Sequence, residues 1–472
     1  MNKPFTTDIK VLLPILIVVS ITVGLLATIN GLTSGIITII SVVALPIVYA
    51  ILVYPIFGIG VLLLASNLMV LVARTGVNFP LGTILDALQV LLLFSLLLKQ
   101  RFNPNWRIFD TKITYLILIW VAYNFLEVLN PEALSKLAWL YTIRSIAIIT
   151  LTYFVFTRFI NKIEFIRLII ILWLLLSFLG ALYGFKQEFF GFSDSEQTWL
   201  NSDPRYSELY FINGHWRKFS FFTDPVTFAY NMAISTILSF TLSTIIQSIK
   251  IKLILWALCI FFCFAMLFSG TRGAYILIPA AYLLYITLNF NRKTVIVAVI
   301  AGTCMICLII IPTSNPMLGR FQSAFKPSTD ASFMVRKINQ KKIQPFIQSH
   351  PFGGGLGATG TWGQRFSPNS YLANFPPDSG YVRVAVEQGW VGLLLFCSLI
   401  FTTLATGIKN FFRISNPELK NYCLAMTLII FALNIGNYPQ EALVQYPTNI
   451  YFYLAISLIN VCFLLDKKTK IN

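Results

Sequence analysis

The sequence predicts an all-α polytopic integral membrane protein with about fourteen transmembrane helices, in a range of roughly 12–14, and a large outer-loop subdomain. Three observations lead there. Of 472 residues, 57% are apolar and 11% charged, and mean hydropathy is +0.76. Soluble globular chains carry about 25% charged residues, so lipid must solvate what water cannot. The apolar residues also gather into runs of spanning length. Finally, basic loops alternate along the chain with loops almost free of Lys and Arg, the asymmetry that orients membrane proteins. An ordinary soluble enzyme, a disordered chain and a coiled coil are excluded.

A spanning helix needs about 20 largely apolar residues. The runs are 11–29, 35–54, 56–73, 83–98, 113–129, 139–157, 166–184, 225–247, 253–269, 274–290, 294–312, 389–408, 421–437 and 447–465. The first follows Lys3 and Lys10, lacks an A-x-A cleavage site and is too long for a signal core, so it reads as an uncleaved span. Pro55 turns the second into the third, and the fourth is short, hence the lower bound on the count. With both termini cytoplasmic, the loops holding Lys99, Arg101, Arg107, Lys112, Arg158, Lys162, Arg167, Lys250, Lys252, Arg292, Lys293, Lys409, Arg413 and Lys420 share one side with both basic tails. The short outer loops hold only Arg74, Lys136 and Arg272. The net charge of +17 is therefore mostly an orientation signal beside anionic headgroups, with no need for nucleic acid. All seven cysteines fall in apolar runs, giving neither a disulfide framework nor a zinc site.

Five segments follow from this count. An amino-terminal group of about seven spans (1–184) leads to a first outer loop (185–224). A central group (225–312) contains a Ser-Gly-Thr-Arg-Gly turn, and a large outer loop (313–388) precedes the carboxy-terminal spans and cytoplasmic tail (389–472). Loops longer than about 12–15 residues are usually functional or disordered; the turn signals and aromatics here favour ordered and functional.

Charges within spans cost roughly 2.5–3.5 kcal/mol at mid-helix, so each needs a reason. Asp86, Glu127 and Arg144 are the candidates, and all lie in the outer parts of their runs. Carriers typically keep ionisable groups near the midplane. The crowding of charge at one edge points instead to a polar site at the outer leaflet.

Five motifs face that side. Phe268-Ser-Gly-Thr-Arg-Gly-Ala-Tyr275 sets Arg272 between two glycines; a guanidinium grips phosphate oxygens bidentately, and the small neighbours admit a bulky anion. The alternative is a plain hairpin with a snorkelling arginine. His215 to Asn231 supplies Arg217 and Lys218 among aromatics, and Thr223-Asp224-Pro225 reads as an N-cap with Pro at N1. Ser332 to Gln348 reads as an amphipathic helix with Arg336, Lys337, Lys341 and Lys342 on one side and Phe333, Met334, Ile338 and Ile343 on another, suited to the outer leaflet. The glycine-rich turn after His350 contains G-x-G-x-x-G at 355–360, but with no βαβ unit around it the motif reads as a turn admitting a sugar or backbone, not a dinucleotide. Asp378 then precedes a helix on which Tyr381, Val384 and Glu387 share a face; it is a catalytic carboxylate or a cap, and the cap is the simpler reading.

In this order and on a common side, the motifs resemble the O-antigen ligase and O-antigen polymerase superfamily of bacterial membrane glycosyltransferases. The resemblance rests on Arg217 before Phe-Thr-Asp-Pro, Ser269-Gly-Thr-Arg-Gly, His350-Pro-Phe-Gly-Gly-Gly-Leu-Gly and Asp378-Ser-Gly-Tyr…Glu387-Gln-Gly-Trp, within about residues 205–400. It implies an enzyme in the bacterial inner membrane, active at the periplasmic face without metal, nucleotide or other cofactor. The donor would be a polyprenyl-pyrophosphate-linked glycan and the acceptor a glycan or lipid hydroxyl. Chain-length regulators or other polysaccharide assembly proteins are possible partners. By resemblance Arg217 and Arg272 neutralise the leaving pyrophosphate. Arg144 is a weaker third contact, and Lys218, His350, Tyr381 and Glu387 are candidate substrate contacts. The family's last motif usually opens with His-Asn; Asp378-Ser379 stands here instead, which leaves the general base and the ligase or polymerase label open. Rival readings are a polysaccharide flippase or other carrier, and a non-catalytic assembly protein.

Overall fold

The computed structural model describes residues 28, 44–74, 81–212, 214–313, 316–325 and 331–470. All but one residue of the expected span 11–29 and most of 35–54 lie outside them, as do residues 326–330 of the large loop. The chain forms two units, Met1–Gly58 and Ile59–Asn472. The described part of the first contains the apolar helix Ala44–Val53.

Among the described residues, 10 helices are long and apolar enough to cross a membrane: Pro55–Arg74, Gly82–Phe102, Lys112–Leu129, Lys136–Phe159, Ile163–Phe189, Pro225–Ser243, Ile249–Phe268, Gly380–Arg413, Pro417–Gly436 and Thr448–Thr469. These coincide with the third to ninth and twelfth to fourteenth expected spans. The tenth and eleventh form shorter apolar helices, Arg272–Leu288 and Thr294–Ile310. A count of fourteen is thus not reached among the described residues. The only strands described are a two-residue antiparallel pair, Phe211–Ile212 with His215–Trp216.

Three helices form the centre. Pro225–Ser243, Pro417–Gly436 and Thr448–Thr469 are 89%, 83% and 78% buried, against 33–56% for the other seven. A helix apolar on all sides is either lipid-facing or enclosed; the central three are enclosed and carry the polar residues that lipid would reject. Asn231 Nδ2 donates to Thr448 Oγ1 at 2.9 Å, Asn421 Nδ2 to the Thr241 carbonyl at 2.8 Å, and Asn460 Nδ2 to Tyr153 Oη at 2.9 Å. Such bonds are worth about 0.6–2 kcal/mol between membrane helices and fix rotation as well as contact. Trp173 stacks on Tyr451 with ring centres 4.0 Å apart.

The loops segregate to two ends. At one, Arg167 clasps Glu418 with two 2.6 Å bonds and Asp466 accepts the Ser415 and Asn416 amides. At the other, Arg74 donates to the Ser220, Phe222 and Thr223 carbonyls, and Asn130 Nδ2 reaches the Phe352 carbonyl at 2.9 Å. This second end carries the outer loops of the sequence reading.

The glycine-rich turn is wedged into a broken helix. Gly380–Arg413 is interrupted at Gly389, whose φ of 68° lies in the left-handed region. A Cβ there would collide with the Pro351 carbonyl, and one at Gly353 with the Gly389 amide. Gly354 N donates to the Val386 carbonyl at 2.9 Å, in the break itself. Backbone, not sugar, takes the space these glycines leave. The twelfth expected span, 389–408, therefore begins at Gly380, nine residues earlier than its apolar run.

Candidate active site

The helix Ile249–Phe268 ends in Ser269-Gly270-Thr271, and the turn is held by side chains from two distant loops. Arg217 Nε donates to the Ser269 carbonyl at 2.9 Å, Nη2 to Thr271 Oγ1 at 2.9 Å and Nη1 to the Leu209 carbonyl at 3.2 Å. Thr271 Oγ1 in turn donates to the Pro225 carbonyl at 3.1 Å. Arg320, from helix Pro316–Ser323, donates to the Gly270 carbonyl at 2.6 Å. Gly270 has φ 60°, and a Cβ would lie 2.9 Å from Arg320 Nε, so both backbone and space demand glycine. Burial, and then the Arg320 charge, push the Arg217 pKa down to about 10, which leaves it cationic at neutral pH.

The turn delivers Arg272 to the first residue of the next helix, where it lines a cavity of about 470 Å³. Arg336, Lys337, Gln340 and Phe333 line it from helix Ala331–Ser349, and Ile435, Tyr438 and Pro439 close another side. Among the described residues that line it, three are cations and none is a carboxylate.

A second cavity of about 340 Å³ has the opposite charge. Asp224, Thr227 and Tyr230 come from the start of helix Pro225–Ser243, Pro376 to Asp378 from the large loop, and Gln440, Glu441 and Gln445 from the segment before the last helix. Among the described residues, no Lys or Arg lines it. Their walls are neighbours: Tyr230 lines the acidic cavity, and Gly273 and Pro439 line the cationic one. Tyr230 Oη donates to the Gly436 carbonyl at 2.8 Å, and a Cβ on Gly273 would stand 3.1 Å from that oxygen and 3.2 Å from Pro439 Cγ.

The three carboxylates differ in what they already hold. Asp224 is the N-cap expected of it, accepting the Thr227 amide at 2.8 Å and the Thr227 hydroxyl at 3.1 Å, with Pro225 at N1. Glu441 accepts Arg383 Nη1 at 2.7 Å; burial pushes its carboxyl pKa up, and Arg383 opposes the rise. Asp378 receives one contact, from Asn339 Nδ2 at 3.4 Å. The cap reading of Asp378 is corrected here: Ser379 occupies the N-cap position of the helix and neither side chain caps it. Asp378 is left facing the cavity.

The remaining sequence candidates lie elsewhere. Arg217 lines neither cavity; its guanidinium faces the turn. Lys218 is buried against Glu188, at 3.6 Å, and over the Phe192 ring at 5.0 Å. Arg144 pairs with Asp86 at 3.1 Å, so two of the three intramembrane charges answer each other. The third, Glu127, is buried and accepts Asn130 Nδ2 at 2.9 Å. His350 stacks on Phe346 with ring centres 4.0 Å apart, and its Nδ1 lies 2.9 Å from the Phe346 carbonyl oxygen. Tyr381 donates to the Asn434 carbonyl at 3.1 Å and packs among Trp120 and Phe396. Glu387 accepts the Thr359 hydroxyl and pairs with Arg383 at 3.3 Å, tying the glycine-rich turn to the helix. None of these is in the lining of the charged cavities.

Residues the sequence left out of the site are Arg320, Asp224, Tyr230 and Glu441, together with Arg336 and Lys337, which it assigned to the leaflet surface. The adjacent pair Arg336–Lys337 with Gln340 one turn on was a usable signal: one polar helix face too compact for a solvated stripe.

The fold and these paired cavities define a polytopic α-helical membrane protein with a charged site at one end of its bundle. Its residues 257–397 match the family model described as O-antigen ligase. That segment contains Arg272, Arg320, Arg336, Lys337 and Asp378, and it agrees with the resemblance carried by the motifs. No curated protein matches the chain.

Proposed function

We propose that the protein transfers a glycan from a polyprenyl-pyrophosphate carrier to an acceptor hydroxyl at the periplasmic face of the inner membrane, with both termini cytoplasmic. The observation that carries the reading is the pair of neighbouring walls: a cation-lined cavity bounded by Gly273 and Pro439 beside a carboxylate-lined one bounded by Tyr230. The pyrophosphate of the donor lies with Arg272, Arg336 and Lys337. Its sugar extends toward the wall, and the acceptor lies on the acidic side.

Asp378 takes the proton of the attacking hydroxyl as its oxygen bonds to the anomeric carbon. The bond from that carbon to the phosphate oxygen breaks, and its electron pair leaves with the pyrophosphate. The cations stabilise the charge that develops there, usually the largest catalytic contribution when the donors are already in place. A carboxylate has a reference pKa of about 3.9 and is a modest base, so leaving-group stabilisation carries more of the rate. Arg217 acts one step back, by fixing the turn from which Arg272 projects.

The test incubates purified protein in detergent with a lipid-linked repeat unit and resolves products on a gel. A ladder supports polymerisation, and a single jump that requires added acceptor supports ligation. Unchanged substrate under both conditions sinks the transferase reading and favours a carrier or assembly role.

A further inference from the structure

A third cavity, of about 460 Å³, lies against the acidic one. Pro376 lines both, and Asn339, which lines the third, donates to Asp378 of the second. Its other walls are Lys342 from helix Ala331–Ser349 and Asn369, Ser370, Tyr371, Asn374 and Phe375 from the loop that follows the short helix Gly360–Phe366.

This lining has an unusual division of labour. Leu372, Ala373 and Phe375 are buried, and Leu372 and Phe375 pack with Ile343 and Val386, so the loop is anchored along its inner side. Asn374 Nδ2 donates to the Pro368 and Ser370 carbonyls at 2.9 and 3.1 Å, and Ser370 Oγ accepts the Ala373 amide at 3.0 Å, which fixes its curvature. Tyr371, followed by buried Leu372 and Ala373, is 59% exposed. Among the described residues, no carboxylate lines the space. An exposed aromatic ring amid three carboxamides, on a loop whose backbone is already ordered, meets both faces of a pyranose: a ring surface for its C–H bonds, and short-range donors and acceptors for its hydroxyls. The volume falls within the usual range of about 300–1,000 Å³ for small-ligand sites. Lys342 adds a cation suited to a sugar carboxylate.

We propose that this cavity is a carbohydrate subsite for the acceptor, holding the sugar next to the one whose hydroxyl reacts, and that it takes neutral or uronic pyranoses. The assignment rests on the transferase reading for the word acceptor; the sugar binding itself stands on the lining. Helix Ala331–Ser349 then serves two ligands, with Arg336 and Lys337 toward the donor and Asn339 and Lys342 toward the acceptor.

The test uses full-length protein in detergent with glucose, N-acetylglucosamine and glucuronic acid as probes, read by saturation-transfer NMR. At least one sugar gives a signal with the wild type, and Tyr371→Ala weakens its binding by about five-fold, the scale of one lost ring contact. Lys342→Ala weakens glucuronic acid selectively. No signal from any probe, or equal signals from wild type and Tyr371→Ala, overturns the subsite. Equal loss of all three sugars in Lys342→Ala overturns its uronate selectivity. The readout needs no turnover, so Tyr371-dependent binding alongside an inert gel assay rejects the transferase reading while the sugar site stands.

Discussion

Arg217 Nε lies 2.9 Å from the Ser269 carbonyl oxygen, and the same guanidinium bonds Thr271 on the far side of Gly270. A fork spanning the turn fixes the backbone immediately before Arg272. Lysine carries its three donors on one nitrogen and lacks the spaced Nε and Nη2 pair that meets these acceptors. Arg217→Lys should therefore lower transfer at least about ten-fold, and Arg217→Ala should also cost about 2 kcal/mol of stability, because carbonyls it satisfied lose their donor. Arg272→Ala should abolish transfer. Thermal unfolding in detergent beside the gel assay checks Arg217; an Arg217→Ala protein as stable as the wild type would contradict its role in holding the turn.

Asp378 and Asp224 face one cavity with different duties. Asp378→Asn should reduce turnover by about 10²–10⁴-fold, the range for losing a positioned base, with little change in melting. Asp224→Asn keeps a competent cap and should leave stability within a few tenths of a kcal/mol, whereas Asp224→Ala should lose about 1 kcal/mol. If Asp378→Asn retains wild-type turnover, the proton goes elsewhere.

Glu441 gives a pH signature. Burial raises its folded-state pKa above that of the unfolded chain, Arg383 notwithstanding. A carboxyl shifted upward binds its proton more readily when folded, so its contribution to stability is lost as pH rises through the folded value and is complete below the unfolded one. Lowering pH through the raised value should stabilise the wild type through this group. Glu441→Gln should flatten that slope. Melting midpoints from about pH 8 to pH 5 decide it; parallel curves would place the titration on another residue.

Gly389→Ala should be among the most damaging single methyl additions. Its φ of 68° disfavours a side chain, and the Pro351 carbonyl fills the position a Cβ would take. Strain of about 1–2 kcal/mol from the backbone alone adds to the collision. Gly302→Ala, where a Cβ meets nothing within 4 Å, is the matched control. Detergent gel filtration should show aggregated or depleted protein for the first and a normal peak for the second.

The bundle was largely legible in the sequence because hydropathy and loop charge act residue by residue. Runs 56–73 to 253–269 and the last three meet their helices, and Asp224-Pro225 starts a helix where its cap chemistry says it must. The site was legible only in part. Arg272 and Asp378 carried local signals, but nothing linear says that Arg336 turns toward Arg272 or that Glu441 stands across from Asp378. Arg217 looked like a phosphate ligand because a cation among aromatics has the same signature whether it meets a substrate or a backbone carbonyl. Asp378 looked like a cap since Ser379, one residue on, occupies the position that Asp would suit.

Tyr230, in the wall of the acidic cavity, stands beside Gly273 of the cationic one. A phosphate straying into the wrong chamber meets three carboxylates, and an amine entering the other meets three cations. On the proposed reading, that contrast sorts a phosphate-bearing donor from its acceptor by charge before the two meet.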